Sequence, residues 1–520
     1  MISPAFLRIG FVRAAGLLAI AAFLALVARF WHPVYGFTAL IQLDASNDEV
    51  KLTAFRELPV YVHRDNGGYD GLYYAQIALD PTLRDSQLPA ATDNLAYRAR
   101  RILPPALAWV LGAGQPAWIV QIYPVINVLA WLVLAGLLWR MLAVDSLRSW
   151  LAWAGVLFSA GALASVRLAL SDLVALTILA GALFAMERAK PKSALITLAV
   201  AGLARETSLL ALAGLVKRPW LSWRSFLQAV AVVLPLAAWL TYVRWRLGPA
   251  DQGWGNLAIP GAGLVEKWCA ALSATHAMAD KPLAWTTVLA TLGVTVQAVF
   301  IASRPRLDDR WWRVGAAYVV LMLFLGRPVW EDFPGAAMRV LLPLTLAFNV
   351  LACRSRAVLA WLLLGNLGVF AGLVAWRDTP FGLKDLAAVR TGDVAAIAQA
   401  GEGWFPREVH GRHLWQWTSA RGAIVIETWP RARSVSLQLD FGLRSPVPRT
   451  VILRQAGREV WRGEIGATLS RHQVVLPVAP GHDAIEFSTD TPGVAGDKTH
   501  DVRSLAFALY DLRLSVMEKQ

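Results

Sequence analysis

The chain has 520 residues, 56% of them hydrophobic and only 17% charged, with a mean hydropathy of +0.47. A soluble protein of this size needs more charge to cover its surface, so the composition predicts an integral membrane protein. The net charge of +14 does not indicate nucleic acid, because the arginines stand between apolar runs, as cytoplasmic loop anchors do. The 24 tryptophans suit interfacial belts, with some in cores. Cys269 and Cys353 supply neither a disulfide framework nor metal spacing.

Residues 14–31 form a first apolar run preceded by Arg8 and Arg13, which predicts an uncleaved span with a cytoplasmic N-terminus. A large loop follows over 32–116, within which 102–112 is apolar but shorter than the ~20 residues a span needs. Further candidate spans lie near 117–141, 149–166, 171–187, 193–205, 206–216, 225–243, 284–302, 311–327, 337–353 and 357–376, making about eleven in all. Their alternate loops carry Arg140/Arg148, Arg188/Lys190/Lys192, Lys217/Arg218/Arg224, Arg304/Arg306/Arg310/Arg313 and Arg354/Arg356. That is a positive-inside pattern, and its parity puts the C-terminus outside the cytoplasm. The same count gathers Asp65, Asp70, Arg98, Arg101, Arg167, Asp172, Arg205, Glu206, Arg327, Glu331, Asp332 and Arg339 at the outer face. Charges in apolar context cost several kcal/mol unless paired or hydrated, so one outward polar cavity is expected. Residues 377–402 read as a short helical linker. Over 403–520 the pattern changes to short alternating runs between turns, such as Ala423-Ile-Val-Ile-Glu-Thr and Ser434-Val-Ser-Leu-Gln-Leu-Asp-Phe, which predict an extracytoplasmic antiparallel β-sandwich of jelly-roll type.

The densest chemistry lies in Tyr61-Val-His-Arg-Asp-Asn-Gly-Gly-Tyr-Asp-Gly-Leu-Tyr-Tyr-Ala-Gln-Ile-Ala78, followed by Asp93-Asn94 and Tyr97-Arg-Ala-Arg-Arg-Ile-Leu-Pro-Pro105. An acid here suits a general base for a hydroxyl acceptor. Asp65 sits in a turn sequence, and Asp70 stands at a helix start where N-capping is the rival role. Arginines at a membrane surface supply the forked donors that a lipid-linked phosphate needs; Arg205, Arg98, Arg101 and Arg339 are the candidates. Asp172 reads equally as a helix cap or a partner to such a site. His63 is a possible acid–base or metal group. Phosphate-loop, zincin and α/β-hydrolase motifs are missing from the sequence.

The phrase Tyr69-Asp-Gly-Leu-Tyr-Tyr-Ala-Gln-Ile-Ala78, Asp93-Asn94 with Tyr97-Arg98, Arg101-Ile-Leu-Pro, Ser171-Asp172-Leu and Ala204-Arg-Glu-Thr-Ser-Leu-Leu210 together resemble the GT-C superfamily of multi-spanning glycosyltransferases. The resemblance covers roughly residues 1–376, and the C-terminal part resembles the carbohydrate-binding-like modules appended to such enzymes. It implies inverting transfer from a polyprenyl-phosphate sugar donor to a glycan or glycolipid acceptor at the outer face of the cell membrane, with no nucleic acid involved. The superfamily's catalytic acid falls on Asp70, or on Asp65 in another register. Arg205, with Arg98, Arg101 or Arg339, would hold the donor phosphate, Glu206, Asp172, Asp93 and His63 would support, and Tyr69, Tyr73 and Tyr74 would stack on sugar rings. Relatives carry adjacent acids where this chain has Asp65-Asn66, so a divalent metal is weakly supported and no cofactor is assigned. The competing expectations are a transporter or flippase of lipid-linked sugars, for which no inverted repeat is visible, and a membrane anchor presenting a sugar-binding sandwich.

Overall fold

The computed structural model describes residues 4–47, 51–63, 67–215, 222–249, 253–332, 334–355, 359–379, 381, 385–410, 413–495 and 503–517. Asp65 lies outside them, as do Asn66, Lys217, Arg218 and Arg356. The chain divides into a helical unit, Met1–Arg29, Phe37–Leu52 and Val62–Asp378, and a β unit, Phe30–Gly36, Thr53–Tyr61 and Thr379–Gln520.

In the helical unit every predicted apolar stretch contains helix among its described residues. Four helices are long and apolar enough to cross a membrane: Gly10–Ala28, Pro116–Met141, Trp223–Leu247 and Pro282–Ala302. The pair Leu147–Leu157 and Ala160–Arg167 makes a fifth if its 42° bend lies within one span. Pro191–Ala204, Leu342–Arg354 and Leu359–Val374 are shorter. The breaks have local causes. The Ser159 side chain accepts the Ala162 N–H and starts a new helix, whereas Arg205 is extended and ends the helix before it. Trp131 lies in the core, stacked on Phe23 with ring centroids 3.8 Å apart, while Trp223 and Trp245 are exposed. A helix at Ala262–Ala277 lies between two of the predicted spans, in a stretch to which the sequence assigns no element.

The β unit is a sandwich. One six-stranded sheet runs Arg458–Ile465, Arg449–Gln455, His482–Ser488, Arg421–Trp429, Val394–Ala400, Asp385–Thr391, and a five-stranded sheet runs Ser470–Val478, Val435–Arg444, Phe507–Met517, His413–Thr418, Glu408–His410. All neighbours are antiparallel. Alternation decides which face is buried: Val435, Leu437, Leu439, Phe441 and Leu443 of one strand enter the core with Ile424, Ile426, Leu453 and Phe487 of the other sheet. Each such side chain contributes roughly 1.5–3 kcal/mol.

The helical-linker reading of 377–402 is corrected. Asp385–Thr391 and Val394–Ala400 are paired strands, so the β unit begins before residue 403. The alanines of Val394–Ala400 favour a helix by propensity, but Val394–Ala398 are buried between two strands, and packing overrides so weak a preference. The first loop is also divided, because Phe30–Gly36 and Thr53–Tyr61 belong to the β unit. There Val34 and Tyr35 pack with Ala395, Ile397 and Trp429, flanked by Tyr61 and Phe381.

Candidate functional site

Four short devices bring the predicted charges together within the helical unit. Gly71–Leu79 is a helix whose first residue has no room for a side chain: a Cβ on Gly71 would lie 2.2 Å from the Leu168 carbonyl oxygen and 2.9 Å from that of Ile41. That close approach fixes Asp70, which occupies the N-cap position without making a side-chain cap bond. The Asn94 side chain accepts the Tyr97 N–H at 3.0 Å and starts the turn Leu95–Arg98, continued by Ala99–Arg101. Helical spacing then projects Tyr97, Arg98 and Arg101 to one region. Arg205 stands extended between Pro191–Ala204 and the 3-10 run Glu206–Gly214. Arg339 comes from the single turn Ala337–Val340.

The pairing is dense. Arg98 lies 3.0 Å from the Asp70 carboxylate and donates two bonds, 2.9 and 2.6 Å long, to Asp93. Arg101 donates to Glu206 at 3.0 and 3.2 Å, and to the Tyr74 and Tyr97 hydroxyls at 2.8 and 3.3 Å. Asp172 accepts from Arg205 through one oxygen and from Arg339, at 3.2 Å, through the other. Arg339 also donates to the Tyr69 hydroxyl at 2.8 Å. Burial pushes the Asp70 carboxyl up, but Arg98, Arg339 and Arg101 outweigh it and hold the group below the ordinary aspartate range. Arg205 is buried, and its Nε makes no hydrogen bond among the described residues. Asp70, Arg98, Arg101, Arg205, Glu206 and Arg339 line one cleft of about 560 Å³.

The other candidates sort by position. Tyr69 lines the cleft. Tyr74 does not stack there, because it is 1% exposed and its hydroxyl is committed to Arg101. Tyr73 is likewise off the cleft wall, with its ring 5.1 Å from the Arg98 guanidinium. Asp172 is a partner rather than a cap: it opens Asp172–Glu187, but both its oxygens go to arginines. Asp93 does not line the cleft and is joined to the site through Arg98. His63 is buried away from the cleft wall, with Nε2 2.9 Å from the Ala39 carbonyl, and burial lowers its pKa to about 4. Among the described residues no group of three or more His, Cys, Asp or Glu side chains is placed to hold a metal ion.

Sequence reading assigned no role to Arg100 or Asn256, which also line the cleft, as does Asp332 from the charges gathered at the outer face. Tyr97, quoted only as part of a motif, receives bonds from both Arg101 and Asn256. Asn256 lies far along the chain in a polar loop, and nothing in its neighbours marks it.

No family model matches the chain, and no curated protein matches it. A solved structure described as "CBM4 structure and function" is similar at 10% sequence identity over 23% of this chain and 78% of that one, with a TM-score of 0.16. A score so low decides nothing about fold or function.

Proposed function

We propose that this protein is a membrane glycosyltransferase of the GT-C kind, moving a sugar with inversion from a polyprenyl-phosphate carrier to a hydroxyl of a glycan or glycolipid acceptor. The observation that carries the reading is one cleft, within an apolar helical unit, where five arginines stand with the ionised Asp70 and two further acids, Glu206 and Asp332. The acceptor hydroxyl oxygen forms the new bond to the anomeric carbon while the bond from that carbon to the phosphate oxygen breaks. Asp70 takes the hydroxyl proton, and the arginines stabilise the charge that develops on the departing polyprenyl phosphate. Arg205 is suited to that anion because a buried donor left unpaired costs ~1–3 kcal/mol, which a phosphate oxygen would remove. Tyr69, held by Arg339, offers the one tyrosine ring of the predicted three that borders the cleft.

The helical unit would cross the cytoplasmic membrane about eleven times, with the short and broken helices completing the four long ones. The helix Trp223–Leu247 supports a lipid-facing exterior, since only 17% of its apolar window is buried. The cleft and the β unit, read as a jelly roll, would then face outward.

The test is transfer by the purified protein from a panel of polyprenyl-phosphate sugars, with Asp70→Asn and EDTA arms. Transfer lost in Asp70→Asn supports both enzyme class and base. Lipid-linked sugar crossing a vesicle bilayer without transfer would replace this reading with the flippase one.

A further inference from the structure

The β unit carries a cleft of its own, about 470 Å³ in volume, that the transfer chemistry does not use. It lies beside an irregularity in the five-stranded sheet. The pairing of Phe507–Met517 with Val435–Arg444 shifts register between Tyr510 and Arg513, and Asp511 adopts a left-handed φ of 41°. A bulge re-aims side chains out of the regular pleat, and a non-glycine residue persists in that region only where its surroundings hold it. Asp511 is so held: it accepts the Leu414 N–H at 3.0 Å and Arg471 at 2.7 Å, and lies 3.0 Å from His413 Nδ1.

This leaves the cleft cationic. Arg407, Arg471 and Arg513 line it with Asp511 as the single carboxylate. Asp511 is engaged by Arg471, Arg407 donates to the Asp385 carbonyl at 2.5 Å, and no carboxylate among the described residues lies within 4.0 Å of Arg407 or Arg513, the Asp385 carboxylate acting on Arg407 only from farther off. Two further groups suit a polyhydroxylated ring rather than a bare ion. Trp415, stacked on Tyr510 at 5.4 Å, borders the cleft. Gln416 also lines it, is 6% exposed, and has an Oε1 acceptor with no donor among the described residues.

We propose that this cleft binds an acidic saccharide through a carboxylate-bearing sugar unit. Arg407 and Arg513 take the carboxylate in forked bonds, Trp415 supplies ring surface, and Gln416 Oε1 accepts from a sugar hydroxyl. That the ligand is an anion rests on the arginines alone; that the anion is carried on a sugar rests on the transferase reading. The acceptor would then be a uronate-containing glycan.

The experiment is calorimetric titration of the full chain in detergent with a panel of uronate-bearing oligosaccharides, neutral oligosaccharides of equal length, inorganic phosphate, and vesicles of anionic or neutral phospholipid. The expected result is binding of an acidic oligosaccharide at least about tenfold tighter than its neutral counterpart, weakening as salt rises. Arg407→Gln with Arg513→Gln should weaken it by about tenfold or more, and Arg513→Gln alone, at an exposed position, reports on the site should the pair fail to fold. Binding by no acidic oligosaccharide, equal binding of neutral ones, or affinity unchanged in the variants overturns the proposal. Binding to anionic vesicles alone overturns it in favour of a lipid surface, and to phosphate alone in favour of a small-anion site. Transfer measured on the same preparation separates the two readings: binding without transfer removes the transferase, and transfer without binding removes this cleft.

Discussion

Asp172 is the residue whose loss should be felt most. Its carboxylate is 2% exposed, and it is shared between two guanidiniums that are 10% and 7% exposed, Arg205 and Arg339. Asp172→Asn keeps the shape and removes the charge, so two buried cations face each other across a neutral amide. Breaking one buried pair by removing a partner costs about 3–5 kcal/mol. Other groups soften the loss here, since Arg205 has Glu206 beside it and Arg339 retains the Tyr69 hydroxyl. A loss of about 3 kcal/mol is therefore expected. The readout is the apparent melting temperature in detergent at a fixed scan rate, because unfolding of such a protein is in practice irreversible. Adding Arg339→Met to Asp172→Asn removes one stranded charge and should recover part of the loss. An Asp172→Asn protein that melts with the wild type, or a double variant less stable than the single one, would refute the claim that the carboxylate holds both arginines.

Further outcomes follow from other groups. Asp70→Asn should reduce transfer by about 10²–10⁴-fold, far beyond what the modest fall in melting temperature from losing its ion pair with Arg98 explains, because Arg98 keeps Asp93; turnover and a thermal scan measure the two. Gly71→Ala places a methyl against two backbone carbonyls that cannot swing aside, so a loss of about 1–3 kcal/mol is expected together with reduced transfer through displacement of Asp70. For His63 the fold favours the neutral ring: the unfolded chain takes up a proton near pH 6.5 and the native protein only near pH 4. Its contribution is thus fully present above pH 6.5 and lost as the pH falls from there to 4, amounting to about 3 kcal/mol. His63→Gln should flatten the fall in melting temperature across that window.

Much of the helical unit was legible because apolar runs and their charged borders are local signals. Strands such as Arg421–Trp429 and Val435–Arg444 were legible for the same reason, through alternation, whereas Arg458–Ile465 was not. What escaped was decided by distant partners. Val394–Ala400 has a composition that suits a helix, and becomes a strand because Arg421–Trp429 lies beside it. The charges of the cleft were visible one at a time. That Arg98 bridges Asp93 and Asp70, or that Asp172 joins residues 205 and 339, depends on contacts the sequence does not announce. Tyr73 and Tyr74 show the converse error. Neighbouring tyrosines on a short helix point different ways, so adjacency to Tyr69 did not carry its position with it.

The β unit draws Phe30–Gly36 and Thr53–Tyr61 from within the first loop, so the two units are interleaved along the chain. No single cut releases one intact. Ending the protein before Thr379 would strip Ala395, Ile397 and Trp429 from Val34 and Tyr35, leaving aromatic surface of the kind that drives association. Expressing 379–520 alone would uncover Trp429 in the same way. Shuffling, tagging or proteolytic trimming at the apparent boundary would therefore wound both halves at once, and a graft onto another membrane scaffold would have to carry the first loop with it.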